Sequence, residues 1–148
     1  MTVKPRMVRL ALLSIALIAL SACAGGGREP GTMPAFTDHY SMRISSVPSP
    51  PYAREAARYK IVVRDKDSGQ PIEGGQGIIY ANTEDGASTW DSFVPGDELG
   101  TYYATLNFIV SGNWALGLRF RRDSTQQLEQ VDWMQEVLGE RPASPRDS

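Results

Sequence analysis

A chain of 148 residues with 15 lysines and arginines against 17 aspartates and glutamates carries a formal net charge of −2, which makes no electrostatic case for DNA or RNA. One cysteine and one histidine in the whole chain leave no disulfide framework and little for nucleophile–base catalysis. No nucleophile elbow, zinc motif or glycine-rich phosphate loop occurs, and no spacing singles out a carboxylate pair, so a non-enzyme is expected.

The chain opens on "MTVKPRMVR", which is basic and has no acid, followed by the apolar run "LALLSIALIAL" over residues 10–20. Eleven residues are too few for a helix to cross a bilayer core, which takes about 20. A basic start, a short apolar segment and small residues after it read as a secretory signal peptide over residues 1–22. The next four residues, "LSAC", resemble a bacterial lipobox, which implies cleavage before Cys23 and lipid on its sulfur. A lipidated Cys23 leaves no free thiol, and several acyl chains anchor stably where one does not. By the same resemblance Ala24, in place of an aspartate, favours the outer membrane. Loss of residues 1–22 removes three basic residues and no acid, taking the net charge to −5 over 126 residues. That length suits one small domain and a tether.

Residues 23–38 form the lipidated cysteine and the tether, since "AGGGREPGTMPAFT" is rich in glycine and proline and lacks a hydrophobic period. Beyond it the period becomes two. Tyr40, Met42 and Ile44 alternate with Ser41, Arg43 and Ser45, as in a half-buried strand. "VPSPPYAREAA" interrupts, because Pro48, Pro50 and Pro51 do not fit a sheet interior. "RYKIVVRD" is a second strand, with Tyr59, Ile61 and Val63 on one face. Asp65 and Asp67 stand beside "SGQP" as turn formers. "QGIIYAN" is a third, and residues 83–99 read as a long polar, acidic loop. "TYYATLNF" and "WALGLRF" each alternate cleanly over four repeats, with Tyr102, Ala104, Leu106 and Phe108, then Trp114, Leu116, Leu118 and Phe120, inward.

The end admits two readings. Val131, Trp133 and Val137 suit a strand, whereas Leu128, Val131, Met134 and Leu138 sit at helical spacing in residues of good helix propensity. The strand is preferred because a sandwich needs one beside "WALGLRF"; a disordered tail is expected over residues 139–148. Five or six short strands with turns at roughly ten-residue spacing make an all-β, immunoglobulin-like sandwich over residues 39–138. "ELGTY" is similar to the acidic-x-Gly-x-Tyr corner of such domains, in which the tyrosine hydroxyl bonds back to nearby backbone.

Taken together, "VVRDKDSGQPIEGGQGIIY" and "LGTYYATLNFIVSGNWALGLRF" resemble the YtkA-like domain, related to FixH, a small immunoglobulin-like sandwich of bacterial envelope proteins. Asp67, Gly69, Pro71, Ile72 and Gly74 fit its first block. Gly100, Tyr102 and Ala104 fit the second, and Gly112, Trp114, Leu116 and Leu118 the third, so the likeness spans about residues 58–122. These are turn and core positions, and they speak to fold more than to activity. The resemblance implies copper or heavy-metal handling through methionines and histidines between the third and fourth strands. Residues 83–99 contain none of these, nor a cysteine.

Three sets of residues stand as candidate sites. His39 with Met33 and Met42 offers soft donors suited to copper; alternatively Met42 is core, Met33 tether and His39 a lone imidazole. Glu84, Asp85, Asp91, Asp97 and Glu98 supply oxygens but match no calcium loop. Trp90 and Phe93, aromatic in a polar loop, either meet a partner protein or fold back on the core. The sequence therefore leads to a lipid-anchored envelope protein facing the periplasm, with a non-catalytic binding or accessory module. Its partners are the membrane and an envelope protein, and no cofactor is expected. Copper handling and a purely structural envelope role are the alternatives.

Overall fold

A computed structural model describes residues 31–143. The expected signal peptide, the expected lipid-attachment residue Cys23, residues 24–30 of the expected tether and residues 144–148 lie outside them. Among the described residues nine strands follow in chain order: β1 (Met33–Phe36), β2 (Tyr40–Val47), β3 (Ala56–Asp65), β4 (Gln76–Asn82), β5 (Ser88–Ser92), β6 (Val94–Pro95), β7 (Thr101–Asn107), β8 (Gly112–Arg121) and β9 (Glu129–Val137). They form a five-stranded sheet in the order β1-β2-β3-β7-β6 and a four-stranded sheet in the order β5-β4-β8-β9. Every neighbouring pair is antiparallel. The chain is an all-β sandwich, and no helix among the described residues is long and apolar enough to cross a membrane.

The period-two residues close the core as expected. Tyr40, Met42 and Ile44 of β2, Tyr59, Ile61 and Val63 of β3, and Tyr102, Ala104 and Leu106 of β7 are buried against Trp114, Leu116, Leu118 and Phe120 of β8. Phe108 stands edge-on to Trp114, with ring centroids 5.1 Å apart, an arrangement the quadrupoles of aromatic rings favour. Apolar side chains alternate with polar ones because successive residues of a strand point to opposite faces. The end of the chain is a strand: Val131 and Trp133 of β9 pack on the core and Val137 is buried, while Met134 faces solvent.

Two segments differ from the sequence expectation. Met33 lies in β1, where it pairs with Ile44, so the sheet begins inside the stretch read as tether. Met33 and Ala35 turn toward the core there, with Pro34 on an edge strand that needs no donor from it. Residues 83–99 are also not one loop. They carry β5 and β6, and β5 guards the edge of β7: Asp91 Oδ2 accepts from the Thr105 amide at 2.7 Å and Thr89 Oγ1 from the Asn107 amide at 3.2 Å. Such side-chain cover blunts an edge that would otherwise recruit another chain.

The two sheets are stitched at one end by polar groups. Tyr102 on β7 donates its hydroxyl to the Ile72 carbonyl at 2.6 Å and accepts the Gly75 amide at 2.9 Å. Both acceptor and donor lie in the connection that leads into β4. The corner tyrosine thus pins backbone some 30 residues upstream. Gly100, two residues earlier, holds φ at +74°, and a Cβ there would stand 2.7 Å from the Val63 carbonyl oxygen. That position is open only to glycine.

Candidate functional site

The three soft donors do not converge. Met42 is buried at 2 % exposure, and Met33 sits opposite Ile44, five residues along β2 from His39. At about 3.3 Å per residue that is some 16 Å. His39 instead engages a residue 90 positions away: its Nδ1 lies 2.5 Å from Glu129 Oε1, and its backbone amide donates to Glu129 Oε2 at 3.1 Å. Among the described residues no group of three or more His, Cys, Asp or Glu side chains is placed to hold a metal ion. The acidic residues of β5, β6 and their turns do not gather either.

His39 opens a cleft of about 710 Å³ between the start of β2 and the β8–β9 connection. Tyr40, at its floor, donates to Gln126 Oε1 and accepts from the Arg122 amide, each at 3.0 Å. Burial pushes the Tyr40 phenol upward, against the pull of the Arg122 amide. Arg122 reaches across to Asp65 Oδ2 at 2.7 Å. Asp65 Oδ1 also accepts from Asp67 and from the backbone and hydroxyl of Ser68, so the turn expected here is an aspartate-capped one. The Ser68 bonds, then Arg122, hold the Asp65 carboxyl down to about 2. His39 is raised by its hydrogen bond to Glu129 and then by that carboxylate's charge. Partial burial works upward on Glu129, but hydrogen bonds, those of His39 among them, keep it below the usual range. The His39–Glu129, Tyr40–Arg122 and Asp65–Arg122 contacts tie the start of β2 and the end of β3 to the β8–β9 connection and β9.

Trp90 and Phe93 part company. Phe93 turns inward, with its centroid 5.9 Å from Tyr102 and 6.2 Å from Phe120, and lies over Gly77. Trp90 is 69 % exposed on β5 and pairs across the strands with Tyr80 of β4. Tyr80 pairs in turn with Gly117 of β8, and Gly117 with Asp132 of β9. The Tyr80 ring lies over Gly117, where a Cβ would meet its tip at 2.4 Å. Its hydroxyl stands 3.4 Å from Asp132 Oδ1, and the Arg119 guanidinium stacks on the ring at 5.4 Å. The outer face of the four-stranded sheet thus presents an aromatic strip, Trp90 and Tyr80, edged by Arg119 and Asp132. Sequence reasoning reached Trp90 but missed Tyr80. The alternation within "QGIIYAN" would have placed Tyr80 outward, opposite Ile79 and Ala81.

No family model matches the chain, and no curated protein does so at a significant level. Solved structures do. A DUF4426 family protein from Pseudomonas aeruginosa PAO1 superposes with a TM-score of 0.58 at 11% identity, over 75% of this chain and 98% of that one. FetP of uropathogenic Escherichia coli strain F11, expressed recombinantly in the periplasm of E. coli, gives 0.56 at 11% identity, over 76% and 97%. A copper-bound glutamate-to-glutamine variant of FetP gives 0.53 at 10% identity, over 78% and 95%. At such identities the likeness is one of fold, and this chain shares the β-sandwich of these proteins over nearly their whole length.

Proposed function

We propose that this chain is an envelope lipoprotein, anchored through Cys23 at the outer membrane, whose sandwich is a non-catalytic binding or accessory module of YtkA-like, FixH-related kind. The observation that carries the binding role is Trp90, a large aromatic side chain left 69 % exposed beside Tyr80 on a flat sheet face. Exposed tryptophan and tyrosine edged by arginine are the residues in which binding energy concentrates at protein interfaces. The partner is then an envelope protein met on the periplasmic side. The fold shared with FetP, and the lipobox-like "LSAC", support the compartment.

Copper handling is the second reading, favoured by the copper-bound FetP variant. The donors of this chain do not fit it, since Met42 is core and His39 is paired with Glu129. Titration of the purified domain with Cu(I) and Cu(II), compared with His39→Ala, distinguishes the two. Tight binding lost in the variant would restore copper as the function.

The test of the first reading has two arms. Palmitate labelling of the full chain should require Cys23, and Cys23→Ala should release the protein from the outer-membrane fraction. A photo-crosslinker at position 92, exposed beside Trp90 on the same face of β5, should trap a discrete envelope partner, and adding Trp90→Ala should lower its capture at least tenfold with the fold intact. Unlabelled wild-type protein defeats the anchor; capture indifferent to Trp90 defeats the binding face.

A further inference from the structure

The five-stranded sheet has an outer face of a different chemistry. The described residues hold ten lysines and arginines against 15 aspartates and glutamates, yet the charges are sorted. The register sets Arg43 of β2 beside Val62 of β3, with Arg64 beside Ser41 and Lys60 beside Ser45 on the flanking rungs. Each alternates with a core residue, so all three point to solvent. They line a shallow groove of about 750 Å³ that extends over Pro34 and Phe36 of β1 and contains no carboxylate. Among the described residues neither Arg43 nor Lys60 has an ion-pair partner. Arg64 donates only to the Gly69 carbonyl. Phe36 is 66 % exposed on the same face, and Val47 at its end is 75 % exposed. Of the acids around this sheet, Asp38, Asp65 and Asp67 lie at its His39 end, with Asp65 tied to Arg122, and Asp91, Asp97 and Glu98 line the opposite, β6 edge with Arg58.

We propose that the β1–β2–β3 half of this face lies on the anionic phospholipid headgroups of the membrane that carries the chain. The proposal rests on the anchored reading of Cys23 for its membrane. Three arguments choose this occupant. The first is charge complementarity: unpaired cations without an acid among them, on a protein that is otherwise acidic, match a negative surface. The second is the company they keep, because an exposed phenylalanine beside basic side chains is the composition of surfaces that seat at a lipid interface. The third is reach. Ten peptide units separate Cys23 from Met33, at most about 35 Å when extended, and β1, the strand they lead into, is the edge of this face. An anchor that near raises the effective concentration of headgroups, so a weak intrinsic contact suffices to orient the domain. The Trp90 face, on the other sheet, is then turned away from the lipid.

The experiment uses the chain from Ala24 onward, which carries every described strand and core residue but lacks Cys23. Its partition is measured by co-sedimentation at low ionic strength with phosphatidylethanolamine vesicles containing phosphatidylglycerol, and with neutral phosphatidylcholine vesicles. Binding is expected to the anionic vesicles only and to fall as salt rises. Arg43→Glu should lower it on the order of twentyfold, since each basic residue near such a surface contributes on the order of fivefold and reversal removes two charges. Arg121→Glu, the same charge change on the other sheet, should lower it less than twofold. Equal losses in the two variants would reduce the effect to net charge and overturn the proposal. So would absence of anionic-vesicle binding by the folded wild type, displacement of the bound protein by inorganic phosphate at equal ionic strength, or self-association that Arg43→Glu abolishes. Palmitate labelling of the full chain reads the anchor separately, so loss of the anchor and loss of the headgroup contact are told apart.

Discussion

The two outer faces of this sandwich are built on the same alternation and arrive at opposite surfaces. On the five-stranded sheet the outward positions of β2 and β3 hold Arg43, Lys60 and Arg64, long side chains with no ion-pair partner among the described residues. On the four-stranded sheet the outward positions of β4, β5 and β8 hold Tyr80, Trp90 and a glycine, Gly117, so one ring lies flat where the other sheet raises a charge. The inward positions are mostly apolar on both. What distinguishes a face is therefore decided by residues that contribute little to the core. The core only fixes their register, because a slip of one residue would exchange inside for outside.

Their mutual orientation depends on the polar stitches at one end, and the largest effect is expected there. Tyr102→Phe removes the hydroxyl that holds Ile72 and Gly75 and leaves a buried carbonyl and amide without a partner. The cost should be about 2 kcal/mol, read as a lower denaturation midpoint with an unchanged denaturant slope. A variant as stable as wild type would mean that the corner does not join the sheets. A smaller effect tests the four-stranded face alone. Gly117→Ala puts a methyl group 2.4 Å from the tip of Tyr80, and the ring must lift because its far end is the part that can move. About 1 kcal/mol of stability should be lost, at the low end for overpacking, whereas the Arg119–Tyr80 stack should vanish from the ring-current shifts in NMR spectra. Unmoved Tyr80 resonances would show that the flat seat does not depend on a bare glycine. Neither substitution should alter vesicle binding by the other face, which keeps the comparison clean.

The strands that face the core were legible because each alternates over several repeats, and the resulting sandwich followed from them. β1, β5 and β6 were not. "MPAF" is four residues long beside a glycine- and proline-rich stretch, and its inward pair, Met33 and Ala35, is too short to show a period. "STWDS" alternates between two polar environments, since Thr89 and Asp91 turn inward to bond the β7 backbone rather than to pack. No hydropathy pattern marks a strand whose buried side is made of hydrogen bonds. The cationic face was readable in "SMRIS" and "RYKIVVRD", where each basic residue directly follows a core position. A net charge of −2 for the whole chain conceals such sorting, because it sums over faces. The His39–Glu129 pair lay beyond reach, for nothing local connects residues 90 positions apart.

That pair offers the smallest and most specific effect, because it ties the start of β2 to β9 at the protein surface. The raised pKa of His39 means that its contribution to stability is fully present below the ordinary imidazole value of 6.5 and is lost as pH rises through the folded-state value. The lowered pKa of Glu129 means that its contribution is fully present above the ordinary value of 4.5 and is lost as pH falls through its own folded-state value. The pair is thus at full strength between about pH 4.5 and 6.5. With His39 74 % exposed, solvent screens the interaction, and the unfolding midpoint should move only slightly across the alkaline side of that window. The ring itself reports more sharply. Its NMR titration should centre above 6.5 in the wild type and fall in Glu129→Gln, which removes the two largest causes of the upward shift. A wild-type midpoint at or below 6.5 would mean that the two sheets are not joined through this imidazole, leaving the Tyr40, Tyr102 and Asp65–Arg122 contacts to hold the faces in their opposed positions.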